Sequence, residues 1–596
     1  MRTVALVLLV SLLLGAWATA ATAGEPVPIE GKLLVSGWCG EPPYTGGFAY
    51  FMEGWSDNIV PAPLVFDQDI SPLADQIAYD MGIGVWPNEF RDVWKTDIDG
   101  TGAVNLTAAA GLGGVNCIPQ WSPDGSMIAF HHCDPVEALY PCEAGFYLWI
   151  MNADGTGAYQ VRPEPTSAGS PALWSPNGYR LLAYLSGLGY NTMDRDGTDL
   201  QWVPNISSPG GWSPDGSKIA CSWSSLDTVE GEPGVWRQVG IVNADGSNPQ
   251  VLVQQFVKDA DITTHLALLD PGWLQPPDYD WFGTVRWWVG PVYPEWSPRG
   301  DRFAFLASGL GTSAPYFDPW GLYFKLQGEV WIYELPTGDL TKITDDICHD
   351  NWLSWNGPNT FPEDPEVTVD NTTVTFSEVT GDGLTTILRD DDPPELPGGY
   401  QFCGEYYEVS TTATVAGPIT ICMTYKDEDV PGGNEAALCL LHYDEAIPGY
   451  EDITISRDPV NNVVCGQVDS LSVFGLAAMP VFGGFRQPIN ADGSSVFKAG
   501  RTIPVKFALY DPLGNPIADA TCHLATWQVS SEILGSVPES AEAVYADAGD
   551  TFRYCPEGEQ YIYNLSTKGM DTGTWRLRVT ADGWPGFEAT VLIGLR

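Results

Sequence analysis

Short runs of apolar residues, many alternating with polar ones, recur along the chain, and Gly, Pro, Asp and Asn separate them. Residues 127–130, Met-Ile-Ala-Phe, follow a Pro-Asp-Gly turn, and residues 148–151, Leu-Trp-Ile-Met, precede Asn-Ala-Asp-Gly. Short runs with this punctuation are typical of β-strands joined by tight turns. The pattern predicts an all-β protein.

A first repeated unit is a turn followed by a short apolar strand. Its full form, Trp-Ser-Pro-Asp-Gly, stands at residues 121–125 and again at residues 212–216. Proline fixes φ, and Asp-Gly or Asn-Gly permits a tight reversal, so each copy predicts a turn that leads into a strand. The looser copies are at residues 174–178 and 296–300, with partial ones at Ser71-Pro72 and residues 355–358.

A second repeated unit is a strand that runs into an Asp-Gly hairpin. Its clearest copies are at residues 148–156 and 241–247, and weaker ones are at residues 94–101, 192–198 and 329–338. One copy of each unit supplies four short antiparallel strands, which is the composition of a propeller blade. Six copies of the turn unit therefore predict a six-bladed β-propeller.

The two strands predicted at residues 31–36 and 48–51 have no turn unit before them. Placing them beside the last strand of the repeats would close the ring and remove two exposed sheet edges. Cys39 and Cys348 would then flank the seam, which suggests a disulfide between them.

The Trp-Ser-Pro-Asp-Gly and Asn-Ala-Asp-Gly-Thr elements resemble those of the TolB-like propeller family, over about residues 30–360. The resemblance implies the fold, and we place the propeller at residues 24–362. The name-giving periplasmic protein of that family carries an α/β domain ahead of its propeller. Residues 24–30 leave no space for one, so that protein's role is not expected here.

Two immunoglobulin-like β-sandwiches are predicted after the repeats, at residues 366–480 and 481–596. In the second, residues 499–507 and 560–568 resemble the bacterial PxKF domain, a family without assigned chemistry. We expect Cys522 to pair with Cys555. For the first sandwich we expect two disulfides, with the connectivity open, among Cys403, Cys422, Cys439 and Cys465.

Residues 1–23 read as a secretory signal peptide: a basic start, an apolar stretch at residues 4–17 and a small-residue cleavage site at residues 21–23. We therefore expect a secreted or periplasmic protein without membrane insertion. The 12 Cys residues, an even number, fit an oxidising compartment and favour disulfides over a metal site.

The chain is strongly acidic, with 27 Lys and Arg against 76 Asp and Glu and a net charge of −49. Such a charge repels phosphate backbones, so nucleic-acid binding is not expected. Adaptation to a saline habitat is an alternative origin of the acidity.

Motifs that would carry chemistry are sparse. There is no Gly-x-Ser-x-Gly elbow, no HExxH and no phosphate-binding glycine loop. His131 and His132 with Asp134 form the densest polar cluster, and we expect it to be structural. The Asp-x-Asp-Gly turns at residues 97–100 and 194–197 are explained by hairpin geometry, so we predict no cofactor beyond a weakly bound structural calcium.

Aromatic residues concentrate where the repeats are farthest apart, between residues 212 and 296, and in a second insertion near residue 320. We predict ligand binding there, the alternative being that these rings only pack the insertions against the propeller. The candidates are Trp273, Tyr279, Trp281, Trp287, Trp288 and Trp320.

The function predicted from the sequence is that of a secreted, non-catalytic binding or surface-interaction protein, whose partner is an extracellular protein or a glycan. We assign no catalytic residue and no metal ligand. The alternative is an extracellular hydrolase or lyase that acts on polysaccharides with the propeller as its catalytic platform. Carboxylates clustered with aromatic side chains in one pocket would favour the enzyme.

Overall fold

The computed structural model describes residues 29–38, 47–54, 56–60, 65–83, 90–134, 145–167, 170–258, 292–307, 329–343, 349–390, 392–443, 449–540 and 545–596. Within these ranges the protein is nearly all-β, as the sequence predicts. The described α-helix, α1, spans Leu106–Ala109, and none of the described helices is long and apolar enough to cross a membrane. Short 3₁₀ helices occur at Asp427–Asp429, Pro431–Gly433, Glu435–Ala437 and Pro556–Gly558.

The strands of the repeat region are short and follow one another closely. They are β1 Ile29–Trp38, β2 Gly47–Gly54, β3 Ser56–Val60, β4 Val65–Ile70, β5 Gln76–Ile83, β6 Phe90–Asp97, β7 Val104–Asn105, β8 Val115–Trp121, β9 Met127–Cys133, β10 Tyr147–Asn152, β11 Tyr159–Gln160, β12 Leu173–Trp174, β13 Arg180–Leu185, β14 Gly189–Asp194, β15 Gln201–Trp202, β16 Pro209–Trp212, β17 Lys218–Val229, β18 Glu232–Asn243, β19 Gln250–Lys258, β20 Val292–Trp296, β21 Arg302–Ala307, β22 Glu329–Glu334, β23 Leu340–Lys342 and β24 His349–Asn356.

These strands form antiparallel groups of four. Three groups are separate sheets in chain order, namely β12 to β15, β16 to β19 and β20 to β23. Two more, β4 to β7 and β8 to β11, are joined into one sheet by a single parallel pairing of Arg91 with Val115. The remaining group has the order β24-β1-β2-β3. The N-terminal strands thus pair with the last strand of the repeats, as predicted.

The Trp-Ser-Pro turn has the same geometry in successive copies. In the copy at residues 121–125, the Ser122 amide donates to the Met127 carbonyl at 2.9 Å, and the Gly125 amide donates back to the Ser122 carbonyl at 2.9 Å. Gly125 has φ +71°, where glycine is favoured because it lacks a Cβ. The Ser122 hydroxyl accepts the Met127 amide and donates to Asp124, so each polar residue of the motif has a fixed role.

The core of the repeat region consists of small apolar clusters, each joining one group of strands to the next. The cluster with Leu33 and Val35 from β1 also holds Val330 from β22. Equivalent clusters join the other neighbours; they contain Leu34 with Ile77, Ala78 with Ile128, Leu148 with Leu181, Leu182 with Ile219, and Val239 with Phe303. Followed from group to group, these contacts return to β1.

The C-terminal strands form four further sheets, with the orders β25-β26-β29-β33-β32, β27-β28-β34-β30-β31, β35-β37-β41-β40 and β38-β42-β43-β36-β39. Their bounds are β25 Glu366–Val369, β26 Thr372–Gly381, β27 Thr385–Arg389, β28 Gln401–Thr411, β29 Thr414–Thr424, β30 Leu438–Tyr443, β31 Tyr450–Asp452, β32 Thr454–Asp458, β33 Val463–Val468, β34 Val473–Ala478, β35 Val481–Arg486, β36 Ser495–Phe497, β37 Thr502–Tyr510, β38 Cys522–Ser530, β39 Val537–Pro538, β40 Arg553–Cys555, β41 Gln560–Ser566, β42 Gly573–Ala581 and β43 Ala589–Leu595.

By packing, the chain divides into two compact units. The first holds the described residues up to Asp370 together with Val379–Leu388 and Thr411–Thr414, and the second holds the remainder. In the second unit, one apolar cluster includes Leu441 from β30 and Phe507 from β37. The Tyr400 hydroxyl donates to the Pro585 carbonyl at 3.2 Å. The segments on either side of residue 480 therefore share one core.

The disulfide expectations need correction. Cys422 and Cys465 are bonded, but Cys403 and Cys439 are free. The latter two lie on β28 and β30, which flank β34, so two strand spacings of about 4.8 Å exceed the reach of a disulfide. Cys39 and Cys348 lie outside the described residues.

The predicted bond between Cys522 and Cys555 is wrong, since both thiols are free. The Phe552 amide donates to the Cys522 carbonyl at 2.9 Å, so Cys522 lies beside Phe552. Cys555 is three residues farther along an extended chain, about 10 Å away.

Candidate functional site

The six aromatic candidates, Trp273, Tyr279, Trp281, Trp287, Trp288 and Trp320, lie outside the described residues. Their segments, residues 259–291 and 308–328, attach at Lys258, Val292, Ala307 and Glu329. Val292 pairs with Leu306, and Ala307 pairs with Glu329. Three of the attachment points therefore lie at the same end of the strands in the sheet β20 to β23.

Lys258 belongs to the same end of the neighbouring group. It pairs with Gly234, next to the β17–β18 turn, whereas the Trp-Ser-Pro turn of that group stands at the other end of β17. We call the end with the four attachment points the loop end. We call the end with the Trp-Ser-Pro turns the turn end.

The first strands of the six groups surround an axial cavity of about 270 Å³. Their neighbour contacts include hydrogen bonds from the Trp174 indole to the Gln120 carbonyl at 3.1 Å and from the Trp296 indole to the Gly211 carbonyl at 3.2 Å. One position of each first strand faces the cavity or belongs to its wall. It is the residue before the repeat tryptophan, or before Ile70 in the first group. In chain order these residues are Asp69, Gln120, Leu173, Gly211, Glu295 and Ser354.

The turn end of the cavity is covered by chain that follows the repeats. Asn359, Val369 and residues 384–387 join the repeat prolines in lining it. The Asn177 amide donates to Asp370 Oδ2 at 2.6 Å, which anchors the covering segment to a Trp-Ser-Pro turn. All these residues belong to the first compact unit.

Asp69 is a buried carboxylate in the cavity wall. Its Oδ1 accepts the Ser354 hydroxyl at 2.6 Å and its Oδ2 accepts the Trp121 amide at 2.7 Å. Burial raises its pKa to about 6, although the hydrogen bonds from Ser354 and Trp121 oppose the rise. Asp69 thus links β4 to both neighbouring first strands, β24 and β8.

Glu295 is the second carboxyl group of the cavity. A Cβ on Gly211 would lie 3.6 Å from both Glu295 carboxyl oxygens, so this carboxyl group lies close to the backbone of the neighbouring first strand, β16. Burial, together with the charge of Asp69, raises the pKa of Glu295 well above its ordinary value. Both carboxyl groups of the cavity therefore hold a proton more tightly than they would in water.

A second polar layer lies one pleat farther from the turn end. Burial raises the pKa of Asp67 to about 6, and burial together with the charge of Asp67 raises that of Asp80 to about 7. Arg91 Nη1 is 3.6 Å from Asp80 Oδ2 and moderates both shifts. Burial also lowers the pKa of the Arg237 guanidinium to about 10.

The sequence analysis missed these carboxylates because Asp69 and Glu295 are far apart in the chain and the residue before the tryptophan differs in every repeat. The signal was present in the register: when the repeats are aligned on their Ser-Pro pairs, Asp69 and Glu295 both stand two residues before the serine. That position faces the axis of a propeller, so a comparison of the six copies would have singled them out.

The histidine cluster is built into the scaffold, as expected. His132 Nδ1 lies 2.8 Å from Asn116 Oδ1, and its Nε2 lies 3.3 Å from Asp134 Oδ1. His131 is fully buried, and burial lowers its pKa to about 4. The structure gives these residues packing and hydrogen-bonding roles.

The Asp-Gly hairpin turns hold their carboxylates in local hydrogen bonds. Asp99 Oδ1 accepts the Thr101 amide at 2.9 Å and the Thr101 hydroxyl at 2.6 Å, and Asp196 bonds Thr198 in the same way. Among the described residues, no group of three or more His, Cys, Asp or Glu side chains has a geometry suited to a metal ion. The weak calcium site stays a prediction.

Comparison with known proteins gives similarity of architecture only. No family model matches the chain, and no curated protein matches it. A solved structure named for TolB of Agrobacterium tumefaciens has 15% identity and a TM-score of 0.32, covering 57% of this chain and 93% of its own. An oligogalacturonate lyase from Vibrio parahaemolyticus has 13% identity and a TM-score of 0.28, covering 45% and 73%. The β-propeller domain of the Trilobed protease from Pyrococcus furiosus has 12% identity and a TM-score of 0.26, covering 60% and 94%. Structural neighbours of this chain thus include TolB-like β-propeller proteins.

Proposed function

We propose that this chain is a secreted, non-catalytic binding protein with a six-bladed propeller followed by two immunoglobulin-like sandwiches, the second a PxKF domain. Its ligand, an extracellular protein or a glycan, would bind at the loop end. The binding residues would be Trp273, Tyr279, Trp281, Trp287, Trp288 and Trp320. Six four-stranded groups linked in cyclic order support the blade count. The apolar stretch and small-residue site in residues 1–23 support secretion.

One observation carries the choice of surface. The turn end is covered by Asn359, Val369 and residues 384–387 of the chain itself, whereas both aromatic segments attach at the opposite end. The end at which both segments attach is therefore the surface that we propose for a partner. Large rigid aromatic side chains give contact area at a small cost in conformational entropy, which suits them to stacking on sugars or anchoring a protein.

The test is a glycan array and a capture assay with extracellular proteins, both run on wild type, on Trp281→Ala/Trp287→Ala and on Trp202→Ala. Trp202 is the matched control, because it is 65% exposed on the outer strand β15. We expect one ligand class to bind wild type and Trp202→Ala alike, and to bind the double variant at least tenfold more weakly. Equal binding by all three proteins would contradict the loop end as the binding surface.

The Asp69 and Glu295 pair favours a second candidate, the polysaccharide-acting enzyme. Two buried carboxyl groups that share one cavity, both with a raised pKa, are suited to act as general acid and general base. They share the cavity with Tyr190, Tyr293 and the repeat tryptophans. In this case Glu295 would protonate the leaving oxygen and Asp69 would act as the base.

Turnover separates the two candidates. Wild type, Asp69→Asn and Glu295→Gln are incubated with each polysaccharide that binds, and reducing ends and unsaturated products are measured. Products from wild type that both variants lose would establish the enzyme. Binding without products from any of the three proteins would support the non-catalytic function.

A further inference from the structure

The C-terminal part of the chain differs in charge from the rest. Residues 481–596 hold 9 of the 27 Lys and Arg but only 13 of the 76 Asp and Glu. Their net charge is thus −4 in a chain of net charge −49. At physiological ionic strength the Debye length is about 8 Å, so a ligand at this surface experiences mainly the local charges.

Within this region, Trp527 lies between two arginines on an outward sheet face. Trp527 on the edge strand β38 pairs directly with Arg576 on β42, and Arg578 is two residues farther along β42. The guanidinium carbons of Arg576 and Arg578 lie 5.9 Å and 5.5 Å from the Trp527 ring centroid. Leu577, between them, points into the core, so both arginines project outward.

The charges of these two arginines are less closely neutralised than those of several other arginines of this protein. Arg162 and Arg180, for example, each contact a carboxylate at 2.8 Å. The Arg576 guanidinium makes no ion pair or hydrogen bond with any described residue. Arg578 Nη1 approaches Glu588 only to 3.5 Å, and its Nε is buried without an acceptor among the described atoms. Acids outnumber bases almost threefold in the whole chain, so an arginine without a close carboxylate is a cation still open to an external anion.

The geometry suits a carboxylate on a flat ring. A cation–π contact with the indole restricts the guanidinium rotamers, so less conformational entropy is lost when an anion binds. Arg576 and Arg578 are about 7 Å apart along the strand, which allows each to take a separate carboxylate in bidentate fashion. Trp527 remains 37% exposed, and an exposed indole edge provides apolar contact for a sugar ring.

We propose that Trp527, Arg576 and Arg578 form a binding site for an acidic polysaccharide built from uronic acids. Charge complementarity selects an anion, and the exposed indole between two guanidinium groups selects a ring-bearing carboxylate over a simple acidic peptide. The site belongs to the second compact unit, and the proposal does not depend on ligand binding at the loop end.

The test uses the full-length secreted protein and alginate oligomers, measured by isothermal titration calorimetry at 150 mM NaCl. The variants are Arg576→Gln/Arg578→Gln and, as a matched control, Lys498→Gln/Lys568→Gln, which removes the same charge from two exposed positions of residues 481–596. Trp527→Ala is a third variant, and the arginine single variant Arg576→Gln provides a milder change. Thermal melts establish that each variant is folded.

We expect alginate to bind wild type and the lysine control with equal affinity. The arginine double variant should bind at least tenfold more weakly, and Trp527→Ala should be weakened as well. Dextran of the same length should not bind. Equal weakening of the arginine and lysine variants would show unspecific charge attraction and overturn the proposal. Stronger binding of poly-glutamate than of alginate, or no binding of alginate to folded wild type, would overturn it too.

Discussion

Asp69 offers the sharpest test of the axial cavity, because its burial couples its proton to the stability of the first unit. Its pKa is 3.8 in its ordinary state and rises to about 6 in the folded protein, chiefly through burial. A raised folded pKa means that the folded state holds the proton more tightly than the unfolded state. The stabilisation is therefore complete below pH 3.8 and is lost as the pH rises through 6.

The magnitude follows from the shift of about two pKa units. At 1.36 kcal/mol per unit, Asp69 accounts for about 3 kcal/mol in total, of which about 2 kcal/mol lies between pH 4.5 and pH 7.5. For a unit of roughly 340 residues this corresponds to about 3 °C in Tm. Acidification also reduces the self-repulsion of a chain with net charge −49, so the wild-type slope alone does not isolate Asp69.

The assay is differential scanning calorimetry of wild type and Asp69→Asn at several pH values. Asparagine removes the ionisation and loses one of the two hydrogen bonds from Ser354 and Trp121, a constant cost of about 1–3 kcal/mol. We expect the wild-type advantage over the variant to shrink by about 3 °C from pH 4.5 to pH 7.5.

The control is Glu230→Gln, which removes the same charge from the exposed β17–β18 turn. The Glu230 side chain is exposed, so this variant shows the effect of losing one surface charge at each pH. A constant or growing advantage of wild type over Asp69→Asn between the two pH values would refute the burial of an ionisable Asp69 at the axis.

Further predictions concern packing and thiols. Gly210→Ala should lower the free energy of unfolding by about 3 kcal/mol or more, because the new Cβ would lie 1.4 Å from the Pro294 carbonyl oxygen. Gly211→Ala should change it little, since the nearest atom to its Cβ would be 3.6 Å away. Thermal melts of the two variants test this difference. Replacing Cys422 and Cys465 by alanine should lower the free energy of unfolding by about 4 kcal/mol, since the disulfide closes a loop with a sequence separation of 43. Urea unfolding measures this loss, and an unchanged midpoint would contradict the disulfide. A thiol reagent should label further cysteines only after denaturation, because burial raises their pKa; these are Cys117, Cys221, Cys403, Cys439 and Cys522.

The repeat architecture was open to prediction because each motif residue has a local role. Ser122, Asp124 and Gly125 fix one turn through their own hydrogen bonds and through the φ of the glycine, so the motif predicts that turn wherever it occurs. Even the partial copy follows the rule: Ala74 takes the glycine position with φ +53°. The pairing of β1 with β24 followed from the need to cover exposed edges.

What escaped prediction depends on contacts distant in sequence. Asp69 and Glu295 line one cavity only because the groups of strands return on themselves, and Asp69 bonds to Ser354 across 285 residues. The predicted cysteine pairs were wrong for the same reason. The number of cysteines does not show which strands are neighbours in the sheet. Cys403 and Cys439 are kept apart by β34, and no local sequence pattern predicts that this strand lies between them.

The seam between β1 and β24 is where the closed ring of strands is tested most directly. Val35 and Leu353 are directly paired there, and facing residues of antiparallel strands have Cα separations of about 4.5–5.5 Å, within the range of a disulfide. In Val35→Cys/Leu353→Cys, peptide mapping after mild oxidation should recover the two new cysteines in one cross-linked peptide. Recovery of both as free thiols from the folded, oxidised protein would contradict the ring.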